Sequence, residues 1–239
     1  RADFGALTAE KIQGRIKISP SSLDVERIEM QSSLGDFMLA GRVAYDGDGV
    51  PWNVDLEEFV YQRGDTAMHM PQSARVSRGA DDHWHIDPLV LEGTAGRLRI
   101  AGELGWPGQT DITIHLNALR SGDWLGTVHG PIQSFSGLVA RIHLAGTAAA
   151  YTMEIEGQLP RLMVREVPRP LQGRFDIAAT AGGIEIRQWA WNDGADAQWI
   201  ASGHLPLVYN GGWQTLPGPL QLQAALNIAD GIALQDFMP

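Results

Sequence analysis

Apolar and polar residues alternate along most of this 239-residue chain, with the period of two that gives a half-buried strand its opposite faces. Ile12, Gly14, Ile16 and Ile18 interleave with Lys11, Gln13, Arg15 and Lys17. Phe37 to Tyr45 repeats the pattern and ends in Asp46-Gly47-Asp48-Gly49, a turn signal. Trp52, Val54 and Leu56 resume it, with Asn53 and Asp55 on the other face. Ile112, Ile114 and Leu116 then face away from Asp111, Thr113, His115 and Asn117. Tyr151, Met153 and Ile155 alternate in the same way with Thr152, Glu154 and Glu156. Further turn signals fall at Gly108, Asp193-Gly194, Gly211-Gly212 and Pro217-Gly218. Together they predict about 15 short antiparallel strands in a meander. Only Gly122 to Thr127 and the C-terminus suggest a helical turn.

Within this alternation one module occurs three times. Its first copy is Leu23, Val25, Ile28, Met30, then Phe37, Leu39, Gly41, Val43. The second is Trp84, Ile86, Leu89, Leu91, then Leu98, Ile100, Gly102, Leu104. The third is Ile184, Ile186, Trp189, Trp191, then Trp199, Ala201, Gly203, Leu205. The step from the first apolar position to the glycine is 18 residues in two copies and 19 in the third. Each copy leads into another alternating run: Trp52 to Leu56, Ile112 to Leu116, and Leu220, Leu222, Ala224, Leu226. Self-similarity of this kind marks a repeat architecture. By parity Gly41, Gly102 and Gly203 fall on the apolar face.

Composition narrows the class. Twenty-eight glycines and 19% charged residues, against about 25% in ordinary soluble domains, favour strands and tight turns over helices. A net charge of −10 argues against nucleic acid, which is bound by basic stripes, and against anionic lipid surfaces. With no Cys there is no disulfide, zinc-thiolate site or thiol chemistry. The segment Leu138 to Tyr151 is the most apolar, but Arg141 and His143 interrupt it well short of the ~18 residues that span a bilayer. Arg1-Ala2-Asp3-Phe4 opens the chain without Met and without an apolar leader, so a fragment of an anchored parent is expected. Pro160, Pro168 and Pro170 with Arg161, Arg165 and Arg169 break the strand rhythm. They predict a crossing over 160–173 between a first part, 1–159, and a continuation, 174–239.

Sharper chemistry finds little support. His83 and His85 share a strand face near Asp81, Asp82 and Asp87, a set that could hold a divalent metal but equally forms a solvated turn. Asp46 to Gly49 lacks the closing Glu of a calcium loop and reads as a hairpin turn. Glu57 and Glu58 are expected on opposite faces, where they cannot flank one bond. No nucleophile elbow, phosphate loop or zinc-protease helix is present, so neither an enzyme nor a cofactor is expected. Trp189, Trp191 and Trp199 leave open a β-sandwich carbohydrate module that stacks sugars on its indoles. Strand addition at sheet edges leaves open an interaction scaffold.

Two phrases go further. One is Leu98-x-Ile100-Ala101-Gly102-x-Leu104, a turn, then Asp111 to Leu119. The other is Phe135-Ser136-Gly137-Leu138-x-Ala140-x-Ile142-x-Leu144-Ala145-Gly146-Thr147, followed later by Pro170-Leu171-Gln172-Gly173-Arg174-Phe175-Asp176-Ile177. These resemble the periplasmic repeat region of the translocation and assembly module subunit TamB and the wider AsmA-like superfamily. The resemblance implies an all-β fold: an elongated, curled antiparallel sheet whose concave face is an apolar groove of the β-taco kind. A closed β-sandwich is the other reading of the same pattern. It also implies a periplasmic location, with the parent anchored in the inner membrane of a Gram-negative bacterium and working beside an outer-membrane barrel partner. The cargo would be phospholipid or another acyl-chain ligand, and the fragment would be prone to dimerise through open sheet edges. On this reading Phe37, Leu39, Val43, Val54 and Leu56 line the groove in the first copy. Leu98, Ile100, Leu104, Ile112, Ile114 and Leu116 line it in the second, and Ile184, Ile186, Trp199, Leu220 and Leu222 in the third. Gly41, Gly102 and Gly203 form its floor.

Overall fold

The computed structural model describes residues 2–4, 7–79, 82–105, 108–121, 132–165, 167, 169–194, 197–209 and 213–228. Among them there is no helix, and every strand pairing with a defined register is antiparallel. The possible helical turn at 122–127 and most of the C-terminus lie outside these residues. The chain divides into two compact units, one holding the described residues up to Ile114 together with Ser121, the other holding 115–120 and 132 onward.

The first unit begins with β1 (Ala2–Phe4), β2 (Leu7–Ile18), β3 (Ser22–Ser32), β4 (Gly35–Tyr45) and β5 (Pro51–Arg63), each paired with the next. The neighbour of β5 is split into β6 (Thr66–His69) and β7 (Ala74–Arg78), interrupted at Pro71, which has no N–H to give to a ladder. β8 (Trp84–Gly93) spans both halves and pairs with β9 (Gly96–Leu104). β10 (Thr110–Leu119) starts in this unit and finishes in the second. The Asp46 to Gly49 segment is a hairpin turn, as its sequence predicts. The Asp46 carboxylate accepts the N–H groups of Asp48 and Val50 at 3.0 and 2.9 Å.

In the second unit β11 (Ile132–Ser136) and β12 (Leu138–Thr147) share one neighbour, β13 (Ala150–Val164). β14 (Leu171–Thr180), β15 (Gly183–Asn192) and β16 (Ala197–Leu205) follow in turn. β17 (Leu207–Tyr209) and β18 (Trp213–Thr215) form a separate two-stranded ribbon, and β19 (Gln221–Ile228) pairs back onto β16. The crossing expected over 160–173 is shorter. β13 continues through Pro160 to Val164, and β14 starts at Leu171. Pro160 and Arg161 sit in a register shift between β13 and β14, so the missing proline N–H interrupts no ladder bond. The division into compact units falls within β10, away from this segment.

The three modules become one structure built three times. In each, the first strand carries a β-bulge between its second and third apolar residues, and the second strand is regular. Val25 faces Gly41 and Ile28 faces Leu39, so Glu26 and Arg27 stand opposite Ala40 alone. Ile86 faces Gly102 and Leu89 faces Ile100, which sets Asp87 and Pro88 against Ala101. Ile186 faces Gly203 and Trp189 faces Ala201, leaving Arg187 and Gln188 against Ser202. A further bulge between β4 and β5 makes Glu57 an extra residue, so Glu57 and Glu58 do not follow simple strand alternation. The one-residue excess of the third copy lies in the loop between β15 and β16.

Each module glycine then lies against the next strand. A side chain on Gly41 would run into the carbonyl oxygen of Asp55, one on Gly102 into that of Asp111, and one on Gly203 into that of Gln221. Gly102 and Gly203 also hold φ values of 136° and 153°, which side-chain-bearing residues rarely adopt. Bulge and glycine together bend the module at one level and bring the third strand close. The packing built this way is shallow: among the described residues the largest side chain buried to below 2% exposure is that of Thr110.

Candidate functional site

Because directly paired residues share a face, the registers give the composition of each face. In the first unit one apolar row runs Ile18, Leu23, Val43, Val54, Val76, Ile86, Gly102. Beside it run Ile16, Val25, Gly41, Leu56, Ala74, and further along Ile12, Met30, Phe37, Tyr61, Met68. Leu39 joins this face opposite Ile28, while Leu98, Ile100 and Leu104 pair with Leu91, Leu89 and Trp84. Ile112 abuts Gly102, and Ile114 and Leu116 follow it at two-residue steps along β10. All of these apolar positions are half-buried except Leu104, Ile12, Ile16 and Ile18, which are exposed, and Tyr61, Met68 and Ala74, which are buried.

The opposite face of the first unit carries charge in alternating sign. Lys17, Asp24, Arg42, Asp55 and Arg75 form one row across five strands. Arg42 pairs with Asp24, and Arg75 with Asp55 at 2.6 Å. The hydrogen bond from the Arg42 guanidinium holds the Asp24 carboxyl below its usual range. Lys17 and Arg15 both reach Glu26, a residue of the first module's bulge. This lattice keeps the polar face wet and fixes the register that turns the apolar rows the other way.

His85 belongs to the same face. It meets Glu103 at 2.5 Å and Asp87 at 3.2 Å, whereas Asp81 lies outside the described residues. Among the described residues no cluster of His, Cys, Asp or Glu is arranged to hold a metal ion. The hydrogen bond to Glu103 is the largest cause of a raised His85 pKa. The added stability is therefore complete below the unfolded value of about 6.5 and fades as pH rises through the higher folded value. In an NMR titration His85 should show a midpoint above that of an unstructured histidine, and Glu103→Gln should bring it down. An unchanged midpoint in that variant would show that Glu103 is not the partner.

In the second unit the apolar face has a deeper feature. Ala140, Gly157, Phe175, Trp189, Ala201 and Ala224 form one row, and Leu159, Gly173, Trp191, Trp199 and Leu226 the next. In each row two rings stand side by side with small residues next to them: Phe175 and Trp189 between Gly157 and Ala201, and Trp191 and Trp199 beside Gly173. A side chain on Gly157 would strike the Phe175 ring at 2.7 Å, and one on Gly173 would strike the Trp191 ring at 2.6 Å. Each glycine thus leaves the space that its neighbour's ring fills. Around the indoles lies an open concavity of about 550 Å³. Leu162, Val167, Leu171, Ile200, Ala201, Ala224, Ala225 and Leu226 complete its wall with Trp189, Trp191 and Trp199. Among the described residues no charged side chain lines it. Trp189 and Trp191 are 6.0 Å apart with their planes inclined at 53°, and Trp189 is 39% exposed.

Of the expected third-copy residues, Trp199 lines this concavity. Ile186 and Leu222 flank Gly203 one row away, and Ile184 pairs with Leu205. Leu220 precedes β19 and is exposed, as is Leu222. Sequence reasoning missed Leu162, Val167 and Leu171 in the wall of the concavity and took Trp189 and Trp191 only as a possible sugar platform. Their convergence depends on strand neighbours that become known only once the register is.

No helix among the described residues is long and apolar enough to cross a membrane. No family model, curated protein or solved structure matches the chain.

Proposed function

We propose that this chain is a non-enzymatic segment of a TamB- or AsmA-like protein and that its apolar face binds lipid acyl chains. In this reading the parent is anchored in the inner membrane and crosses the periplasm. It conducts phospholipid between the two membranes and supports outer-membrane protein assembly beside a barrel partner. The observation that carries the reading is the concavity around Trp189, Trp191 and Trp199, walled by aliphatic side chains, with no charged side chain among the described residues that line it. An apolar face left in water is costly, and each methylene moved onto it from water gains up to about 0.8 kcal/mol. Leu, Ile and Ala walls offer no directional partner, which suits a chain recognised by length alone.

The shallow packing supports an open face over a sealed sandwich, since a closed core would bury its large aliphatic side chains completely. A carbohydrate platform would need coplanar indoles beside polar groups, whereas these rings are tilted and their surroundings are aliphatic. Exposed Ile16 and Ile18 on β2, and Leu222 and Leu226 on β19, favour strand addition by a second copy as a companion property.

Photocrosslinking tests the site directly. A crosslinker placed at Ala201 or Leu226, which line the concavity, should trap phospholipid from a membrane extract, read as adducts in native mass spectra, and one at Glu156 on the opposite face should not. Adducts from Glu156 with none from Ala201 would refute the reading.

A further inference from the structure

The polar face of the third module keeps an ion-pair lattice around Arg187, which meets Glu154, Asp176 and Glu185, but departs from it towards Asn192. There, at the Gln158–Arg174 and Gln172–Asn192 pairs of β13 to β16, it turns into a field of carboxamides around one guanidinium. Gln158 stands opposite Arg174, Gln172 opposite Asn192, and Asn192 opposite Gln198. Gln188, from the module's bulge, borders the same ground. These six side chains line a cavity of about 310 Å³ floored by Gly173 and Ala190. The amides of Gln158, Gln172, Gln188 and Gln198 have no hydrogen-bond partner among the described residues, and Arg174 has no ion pair there. Asn192 uses its Oδ1 to accept the N–H of Gly194 at 3.1 Å, which leaves its amide N–H₂ free. By contrast, Arg141 and Arg187 on the polar face of this unit, like Arg42 and Arg75 on that of the first, each have carboxylate partners.

We propose that this carboxamide cavity is a binding site for an acidic saccharide, in which Arg174 takes the carboxylate and the surrounding amides take the ring hydroxyls. A carboxamide donates and accepts at once, so paired amides can satisfy both roles of neighbouring hydroxyl groups. A guanidinium offers two parallel N–H donors to one carboxylate. Phosphate-rich ligands are met by several cations; one guanidinium among neutral amides suits a hydroxyl-rich body of which one carboxylate is held at the site. Adjacent strands set side chains about 4.8 Å apart, and alternate residues along a strand about 6.7 Å apart, so the amides form a grid and not a point. The small Ala190 leaves a flat apolar patch for the C–H face of a ring. This site lies across the sheet from the indole concavity and is independent of the acyl-chain reading.

The test is calorimetric titration of the full chain with tetragalacturonate, with cellotetraose, a hexa-aspartate peptide and inorganic phosphate as comparators. Saturable binding of tetragalacturonate is expected, with cellotetraose weaker. Arg174→Gln, and separately the double variant Gln188→Ala with Gln198→Ala, should each weaken binding by about tenfold or more. Both should leave the thermal midpoint unchanged, because all three side chains are exposed. Ala201→Arg, on the opposite face, should leave saccharide binding intact. Three results would overturn the proposal: no saturable binding, equal binding of hexa-aspartate or phosphate, or tetragalacturonate binding that survives Arg174→Gln.

Discussion

Gly102→Ala should destabilise the first unit by about 3 kcal/mol or more and lower its thermal midpoint by roughly 10 °C. Two costs add at this position. The φ of 136° is strained for any residue with a side chain, at about 1–3 kcal/mol. The new methyl group would also collide with the carbonyl oxygen of Asp111, a backbone atom of β10 that no rotamer change can move. Gly203→Ala should behave in the same way in the second unit, where φ is 153° and the obstacle is the carbonyl of Gln221. Gly41→Ala should cost less, because Gly41 has ordinary φ and only the collision with the Asp55 carbonyl remains. Gly47→Ala is the control, since nothing lies within 4 Å of that turn position. Thermal denaturation followed by circular dichroism gives the order. If Gly102→Ala were as mild as Gly47→Ala, the close approach of β9 and β10 would not be a structural requirement.

That order also shows how far sequence alone reached. Strand faces were legible because alternation needs no knowledge of neighbours, so Leu98, Ile100, Ile112 and Ile114 could be placed on one side by parity. The bulges are legible too. In every copy the first four apolar residues step by two, three and two, as in Leu23, Val25, Ile28 and Met30. A step of three that keeps a residue on the same face requires one extra residue, which is a bulge. The placement of the glycines opposite the bulges then follows from the register.

What stayed hidden depended on contacts between strands. Pro160 reads as a strand breaker, yet β13 passes through it because its missing N–H falls at a register shift. Three tryptophans close in sequence suggest a stacking platform. Only the pairing of Gly173 with Trp191, and of Phe175 with Trp189, shows the rings folded onto their neighbours within an aliphatic wall. The carboxamide field is the extreme case. Its six members come from four strands and share no spacing along the chain.

Fatty-acid binding at the indole concavity should rise with chain length by up to about fourfold for each added methylene, the equivalent of roughly 0.8 kcal/mol. Quenching of tryptophan fluorescence by decanoate, dodecanoate and tetradecanoate would measure this, since Trp189, Trp191 and Trp199 all line the wall. The increments should stop once the chain outgrows the roughly 550 Å³ concavity. Ala201→Arg should abolish most of the binding. Ala201 lies between Trp189 and Ala224 in the row that crosses the pocket, and a guanidinium there would have to shed water without a counter-ion. A loss of about tenfold or more is expected, with an unchanged strand signal in circular dichroism to show that the sheet persists. A site that recognised polar headgroups or sugars would show affinities independent of methylene number. That outcome, or full binding by Ala201→Arg, would remove the concavity as the acyl-chain site.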